Sequence, residues 1–320
     1  MIVRRSLLGA LAICALASGA RAQTYPSRPI TLVVPFAAGG TSDVIARLAA
    51  EQMGKVLGQT VVNENTAGAG GSTALTRVAR ATPDGYTIGI GNSGTNAASY
   101  SIYKDIKYRP EDFVPIGLVA KTLPVIAVRK DFPAASLREF IAFAKANPGK
   151  VNLGHAGVGS SNYLICKAFL RAAGIEATLI SYRGAALALN DAMAGQIDGV
   201  CDAAASLSGA ITSGAVRGLV ISSAARVPAL PDVPTAAEAG LPDFQQQGWN
   251  GLFAPKGTPE PVVAKLNAAL REAVASESFR RRMDELASLP AVEEELTPAH
   301  VTKLVPAEIE KFKALLNETK

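Results

Sequence analysis

The side chains that most often perform chemistry are scarce in this sequence, and their spacing narrows the options further. Histidine occurs only at His155 and His300, and cysteine only at Cys14, Cys166 and Cys201. No CxxC pair, HExxH helix or multi-histidine set can be assembled from these, so no metal site and no structural zinc are expected. No GxSxG elbow occurs, and neither histidine has a visible partner that would make it the base for a serine nucleophile. His155 falls at the end of a predicted strand beside a Gly/Ser loop, which suits a satisfied structural imidazole better than a general base. His300 falls in the charged C-terminal stretch and is expected at the surface. Residues 89–94, GIGNSG, match the GxGxxG spelling. A dinucleotide fold also needs an acid about 20 residues later on a strand, and here the acids are Asp105 and Glu111, with Pro110 nearby and no good strand to carry either. No catalytic residues and no cofactor are expected, although Ser93, Thr95 and the free amides of this loop could still meet a small ligand.

Anion chemistry is what the residues do offer. Two Gly-rich, hydroxyl-bearing turns, residues 37–42 (AAGGTS) and 156–161 (AGVGSS), each stand between a strand pattern and a helix pattern. A helix N-terminus presents unpaired N–H groups and a partial positive charge, so each turn could receive a carboxylate without a full counter-charge. Each turn alone could equally be an ordinary N-cap with glycines for tightness. Two of them, one in each half of the chain, suggest a clamp in which the ligand accepts from amides near Gly39, Gly40, Gly157 and Gly159 and from Thr41, Ser160 and Ser161.

The elements that must position these turns alternate between short β-branched runs and helical stretches, the pattern of a parallel sheet covered by helices. Strands are predicted at 30–36, 61–63, 86–90, 113–120 and 125–128, then at 151–153, 178–182, 198–202, 217–222 and 249–253. Helical periodicity runs over 44–57 with Gly58 as a stop, over 136–147 with a Ser136 cap, and from the second turn to about 173. The tail from Pro259 to Lys320 reads as helical and charged.

With 320 residues, 48% of them hydrophobic, the chain exceeds what one core usually holds, and two domains are expected. Its formal charge is 32 − 27 = +5, but Arg4, Arg5 and Arg21 sit in the first 22 residues with no acid among them, leaving 29 − 27 = +2 for the remainder. That near balance, without a dense basic run, excludes nucleic acid as the expected partner. Residues 1–22 have a basic start, an apolar run over 7–17 too short to span a bilayer, and the cleavage signature Ala20-Arg21-Ala22. They read as a secretory signal peptide, so the mature chain is expected to begin at Gln23 in the periplasm. A disulfide is permitted there, but spacing alone does not bring Cys166 and Cys201 together, and two buried free thiols are the favoured expectation.

A run of motifs then carries a family resemblance. YPSRPI (25–30), VVPFAAGGTSD (33–43), AGAGG (67–71), PDGY (83–86), ALPDVPTAAEAG (229–240) and APKGTP (254–259) together resemble the Bug family, the periplasmic solute-binding proteins of tripartite tricarboxylate transporters. The resemblance extends from about Tyr25 into the C-terminal helices. It implies a two-domain, flytrap-like α/β fold of the periplasmic-binding-protein kind with crossover hinge strands, residues 24–124 plus 248–320 forming domain one and 125–247 domain two. It also implies a small carboxylate or related polar organic solute as ligand, and the membrane components of a tripartite transporter as partners. The family's carboxylate-binding loops fall on Phe36, Ala37, Ala38, Gly39, Gly40, Thr41 and Ser42 and on Ala156, Gly157, Gly159, Ser160, Ser161 and Asn162. Ser93, Thr95, Arg183, Asp202 and Trp249 match further cleft-lining positions, with Arg183 the best-placed cation for a second acidic group. Relatives often carry histidine in place of Tyr163 and an Asp-Asn pair in place of Asp202-Ala203, so a relative's ligand does not transfer. A ligand sensor for a membrane signalling partner would need the same cleft, and an exported enzyme on a similar scaffold is disfavoured by the missing base.

Overall fold

The computed structural model describes residues 25–317; the expected signal peptide, its cleavage site and Cys14 lie outside them. The chain begins with β1 (Ile30–Val34), α1 (Thr41–Leu57), β2 (Val61–Asn65), α2 (Ser72–Ala79) and β3 (Thr87–Asn92). One π-helical turn, Gly94–Ala98, leads into the short α3 (Ser99–Ile102) and then β4 (Phe113–Thr122). After a single residue, Leu123, come β5 (Pro124–Arg129), α4 (Leu137–Ala146), β6 (Asn152–His155), α5 (Ser161–Ala173), β7 (Thr178–Ser181), α6 (Ala185–Met193), β8 (Gly199–Ala203), α7 (Ala204–Thr212) and β9 (Val216–Ile221). The chain ends with β10 (Gly248–Pro255), α8 (Glu260–Ala275), α9 (Glu277–Glu285), β11 (Leu289–Pro290) and α10 (Pro298–Asn317).

These strands make two sheets, ordered β11-β4-β10-β3-β1-β2 and β7-β6-β8-β5-β9. In the first, β1 runs parallel to both β2 and β3, while β10 is antiparallel to β3 and β4. In the second, β6 runs parallel to β7 and β8, and β5 is antiparallel to β8 and β9. The chain passes from the first sheet to the second at Leu123 and returns through residues 222–247.

Central strands covered on both faces need near-continuous apolar runs, and β1 (ITLVV) and β5 (PVIAVR) supply them, with only Thr31 and Arg129 polar and partly exposed. Ile30, Leu32 and Val34 pack with Ile45, Ala49 and Met53 of α1 in the core of the first sheet. The second sheet has apolar clusters centred on Ile126, Phe140 and Phe169 and on Val125, Val200 and Leu207. The expected stops and caps are present. Gly58 ends α1 in the left-handed conformation at φ +65°, and the Ser136 hydroxyl accepts from Glu139 N to open α4.

Two expectations are corrected. Cys166 and Cys201 form a disulfide, with Cα atoms 5.4 Å apart. The helix α5 lays its buried face, Cys166 included, over β8, where Cys201 is also fully buried; the pairing comes from helix-on-sheet packing, which a separation of 35 residues does not reveal. The tail is also not wholly helical, because Leu289 and Pro290 pair with Lys121 and Ala120 to add a short edge strand beside β4. In addition, α1 begins at Thr41 rather than Val44, so the Gly-rich turn feeds directly into the helix.

Candidate functional site

Both Gly-rich turns lie at the end of a parallel strand and the start of a helix, β1 to α1 and β6 to α5, and they face each other from different sheets. The first is held by Asp43 in the opening turn of α1. Its carboxylate accepts from Gly39 N at 2.9 Å, from Asn65 Nδ2 at 2.8 Å and from Arg47 Nε at 2.9 Å. Burial works to raise this carboxyl, but the bonds from Arg47, Gly39 and Asn65 together hold it below the ordinary range. Gly39 turns the chain at φ +87°. Gly40 then takes the N-cap position with no side chain to cap the helix, which leaves the first amides of α1 available to an outside acceptor.

The second turn is held from within. Gly157 and Gly159 both have positive φ, +109° and +83°. Between them and the helix, Ser160 Oγ donates to Gly157 O at 2.6 Å and accepts from Tyr163 N. His155 is buried, and its Nδ1 accepts from Gly157 N at 3.1 Å. Burial pushes the imidazole below its ordinary range, so a neutral ring serves as a turn acceptor, with the Tyr163 ring packed beside it at a tilt. His300 is half-buried in the first turn of α10, where its N donates to Thr297.

The turns close on each other. Phe36, Gly40, Thr41 and Ser42 from one side and Ala156, Ser161, Asn162 and Asp202 from the other line a cavity of about 10 Å³, about the space of one water. Thr41 Oγ1 reaches across to Asp202 Oδ1 at 3.1 Å and to Ser206 Oγ at 3.2 Å. Ala37 N donates to Arg183 O, Ser99 Oγ to Gly159 O, and the Tyr103 hydroxyl to Val158 O. Behind these polar contacts, Ala97 and Ala98 pack with Leu164 of α5 and Phe312 of α10.

Asp202, at the end of β8, is fully enclosed. Its carboxylate accepts from Thr41 Oγ1, Asn162 Nδ2, Ser206 Oγ and Ala203 N. Burial nevertheless pushes its carboxyl above the ordinary range, and these four donors only reduce the rise.

The other expected residues lie elsewhere. Ala37, Ala38 and Gly39 sit at the rim of the first turn, and Gly157, Gly159 and Ser160 shape the second without lining the cavity. Ser93 and Thr95 are buried at the end of β3, where Thr95 Oγ1 accepts from Asn92 N. The Arg183 side chain is exposed, and its backbone carbonyl makes the contact to Ala37. Trp249 is buried in the first core with Nε1 donating to Glu308 of α10. Sequence reasoning missed Thr122, Ile165, Ala185, Ala203 and Asn250, which also line the cavity. Asn250 Oδ1 accepts from Ser42 Oγ at 2.9 Å. A polar residue inside an otherwise apolar strand, as at Asn92 and Asn250, was the available signal. Among the described residues no group of three or more His, Cys, Asp or Glu side chains is arranged to hold a metal, and no helix is long and apolar enough to cross a membrane.

Two α/β sheets that exchange the chain twice and oppose two strand-to-helix turns define a solute-binding receptor of the periplasmic binding protein type. The chain belongs to the family described as tripartite tricarboxylate transporter family receptor (TctC), which it matches over residues 45–320. It is similar to the periplasmic binding protein BugD, at 40% identity and TM-score 0.88, covering 92% of this chain and 98% of that one. It is similar to MatC from Rhodopseudomonas palustris with bound malate, at 41% identity and TM-score 0.87 over 91% and 99% of the two chains. A third similar structure is Rpa4515 of R. palustris with adipate, at 32% identity and TM-score 0.87 over 92% and 97%.

Proposed function

We propose that this chain is a periplasmic receptor that captures a small carboxylate between its two sheets and presents the closed form to the membrane components of a tripartite tricarboxylate-type transporter. The opposition of the β1–α1 and β6–α5 turns across one cavity carries this reading. Each turn offers helix-terminal amides, and Thr41 and Ser161 add hydroxyls, so a carboxylate entering between them could accept from both sides. Residues 24–124 with 248–320 would move as one domain and 125–247 as the other, hinged near Leu123 and near residue 247. A cavity of about 10 Å³ cannot admit a multi-carbon acid, so entry requires the domains to part; a ligand that bridges both turns then favours closure. Malate and adipate in the two similar structures support an organic acid as ligand.

Among the described residues, the one titratable side chain lining the cavity, Asp202, is buried with its carboxylate occupied by the Thr41 and Ser206 hydroxyls and with no imidazole or amine beside it, which supports binding over catalysis. Calorimetry and melting curves with mono-, di- and tricarboxylates test the reading. Saturation at a hundredfold excess over Kd should stabilise the chain by about 2.7 kcal/mol. A chain whose melting and heats respond to none of these acids would overturn it.

A further inference from the structure

Among the described residues, Asp202 alone of those lining the cavity carries a formal charge, and the charge has the same sign as the proposed ligand. Three of its four donors, Asn162 Nδ2, Ser206 Oγ and Ala203 N, belong to the same half of the molecule as Asp202 itself. The fourth, Thr41 Oγ1, comes from the opposite half. Parting the sheets removes Thr41 and leaves the cleft-facing side of a buried carboxylate short of a donor, which is costly in a low-dielectric site. A ligand seated between Thr41 and Asp202 keeps that bond from re-forming and must therefore supply the donor itself. A second carboxylate at that point would add repulsion and no proton.

Resting on the carboxylate reading above, we propose that Asp202 is a specificity-determining residue that accepts a hydrogen bond from an O–H or N–H group on the ligand beside its turn-bound carboxylate. The receptor would thereby favour hydroxy or amino acids over the same acids without the donor. The upward push on the Asp202 carboxyl by burial agrees with this, because a carboxylate so enclosed gains most from one further donor. The selection works by penalty as well as attraction, since the bare acid leaves Asp202 one donor short on its cleft-facing side.

Matched acids with and without the donor test the proposal: lactate with propionate, malate with succinate, 2-hydroxyglutarate with glutarate, and aspartate with succinate for the ammonium arm. Calorimetry on the native chain should show the donor-bearing member of a binding pair favoured by roughly tenfold or more, the range for a hydrogen bond to a charged group. Asp202→Asn keeps the shape but removes the charge, and should shrink that ratio at least threefold. Equal affinity within every binding pair of the native chain, or an unchanged ratio in folded Asp202→Asn, would overturn the proposal while leaving the carboxylate reading in place. The native series decides by itself if the variant does not fold. If no acid of either kind binds, the carboxylate reading falls and this proposal with it.

Discussion

Gly70 meets Val158 across the cleft so closely that a β-carbon on Gly70 would lie 1.9 Å from the Val158 carbonyl oxygen. The AGAGG motif is thus part of the seam between the two halves, and the same carbonyl accepts from the Tyr103 hydroxyl. Gly94 repeats the relationship, since its added β-carbon would lie 2.3 Å from Ser161 N, and Gly184 repeats it at 2.9 Å from Ala37 N. Backbone meets backbone at these points, so the closed form requires glycine for space.

Gly94→Ala should therefore obstruct closure and leave each half folded. We expect ligand affinity to fall more than tenfold and the radius of gyration from solution scattering in the presence of ligand to exceed that of the native chain. Native affinity with a native radius would show that the seam yields.

The two clamp glycines should behave differently. Gly159 has φ +83°, and its added β-carbon would lie 2.6 Å from Tyr103 Cε2. Gly40 has φ −80° and an open approach, with Ala185 N 3.8 Å away. Gly159→Ala should cost about 1–3 kcal/mol of backbone strain, visible in the melting temperature. Gly40→Ala should melt like the native chain, and its effect should appear in ligand affinity alone, because the new methyl enters the cavity.

Reducing the Cys166–Cys201 bond releases a cross-link between α5 and β8 that closes a loop of 35 residues, worth about 2–4 kcal/mol. The chain should melt several degrees lower in reductant. Cys166→Ala/Cys201→Ala should melt lower than native in oxidising buffer and be insensitive to reductant.

Asp43 and Asp202 should respond to pH in opposite directions. The Asp43 carboxyl is held low, so its contribution to stability is present above the unfolded value of about 3.9 and is lost as pH falls through the folded value. The Asp202 carboxyl is held high, so its contribution is fully present below the unfolded value and is lost as pH rises through the folded one. Asp202→Asn should consequently melt above the native chain at pH 7, with the gap closing toward pH 4. A gap that widens on acidification would refute this assignment.

Arg183 and Trp249 supply a further contrast. The Arg183 side chain is exposed, so Arg183→Ala, which keeps the carbonyl that accepts from Ala37, should change affinity by less than about 0.5 kcal/mol. A loss of about 1.5–3 kcal/mol would instead mark a charge-assisted bond from Arg183 to the ligand. Trp249→Phe should lower the melting temperature through the lost bond to Glu308 and leave affinity nearly intact.

The sequence by itself determined what is local. Runs such as ITLVV, the caps at Ser136 and Gly58, and the placing of both Gly-rich turns between strand and helix follow from periodicity and turn chemistry, which act within a few residues. So did the reading of His155 as a satisfied structural imidazole, whose ring the fold uses as a turn acceptor. Tertiary structure decided what depends on residues far apart in the chain meeting. Cys166 reaches Cys201 because a helix lies on a sheet, and Thr41 reaches Asp202 across 161 positions. Trp249 turned into the core while its neighbour Asn250 faced the cavity, because successive residues of a strand point to opposite faces and only the packing of β10 between β3 and β4 fixes which face is which.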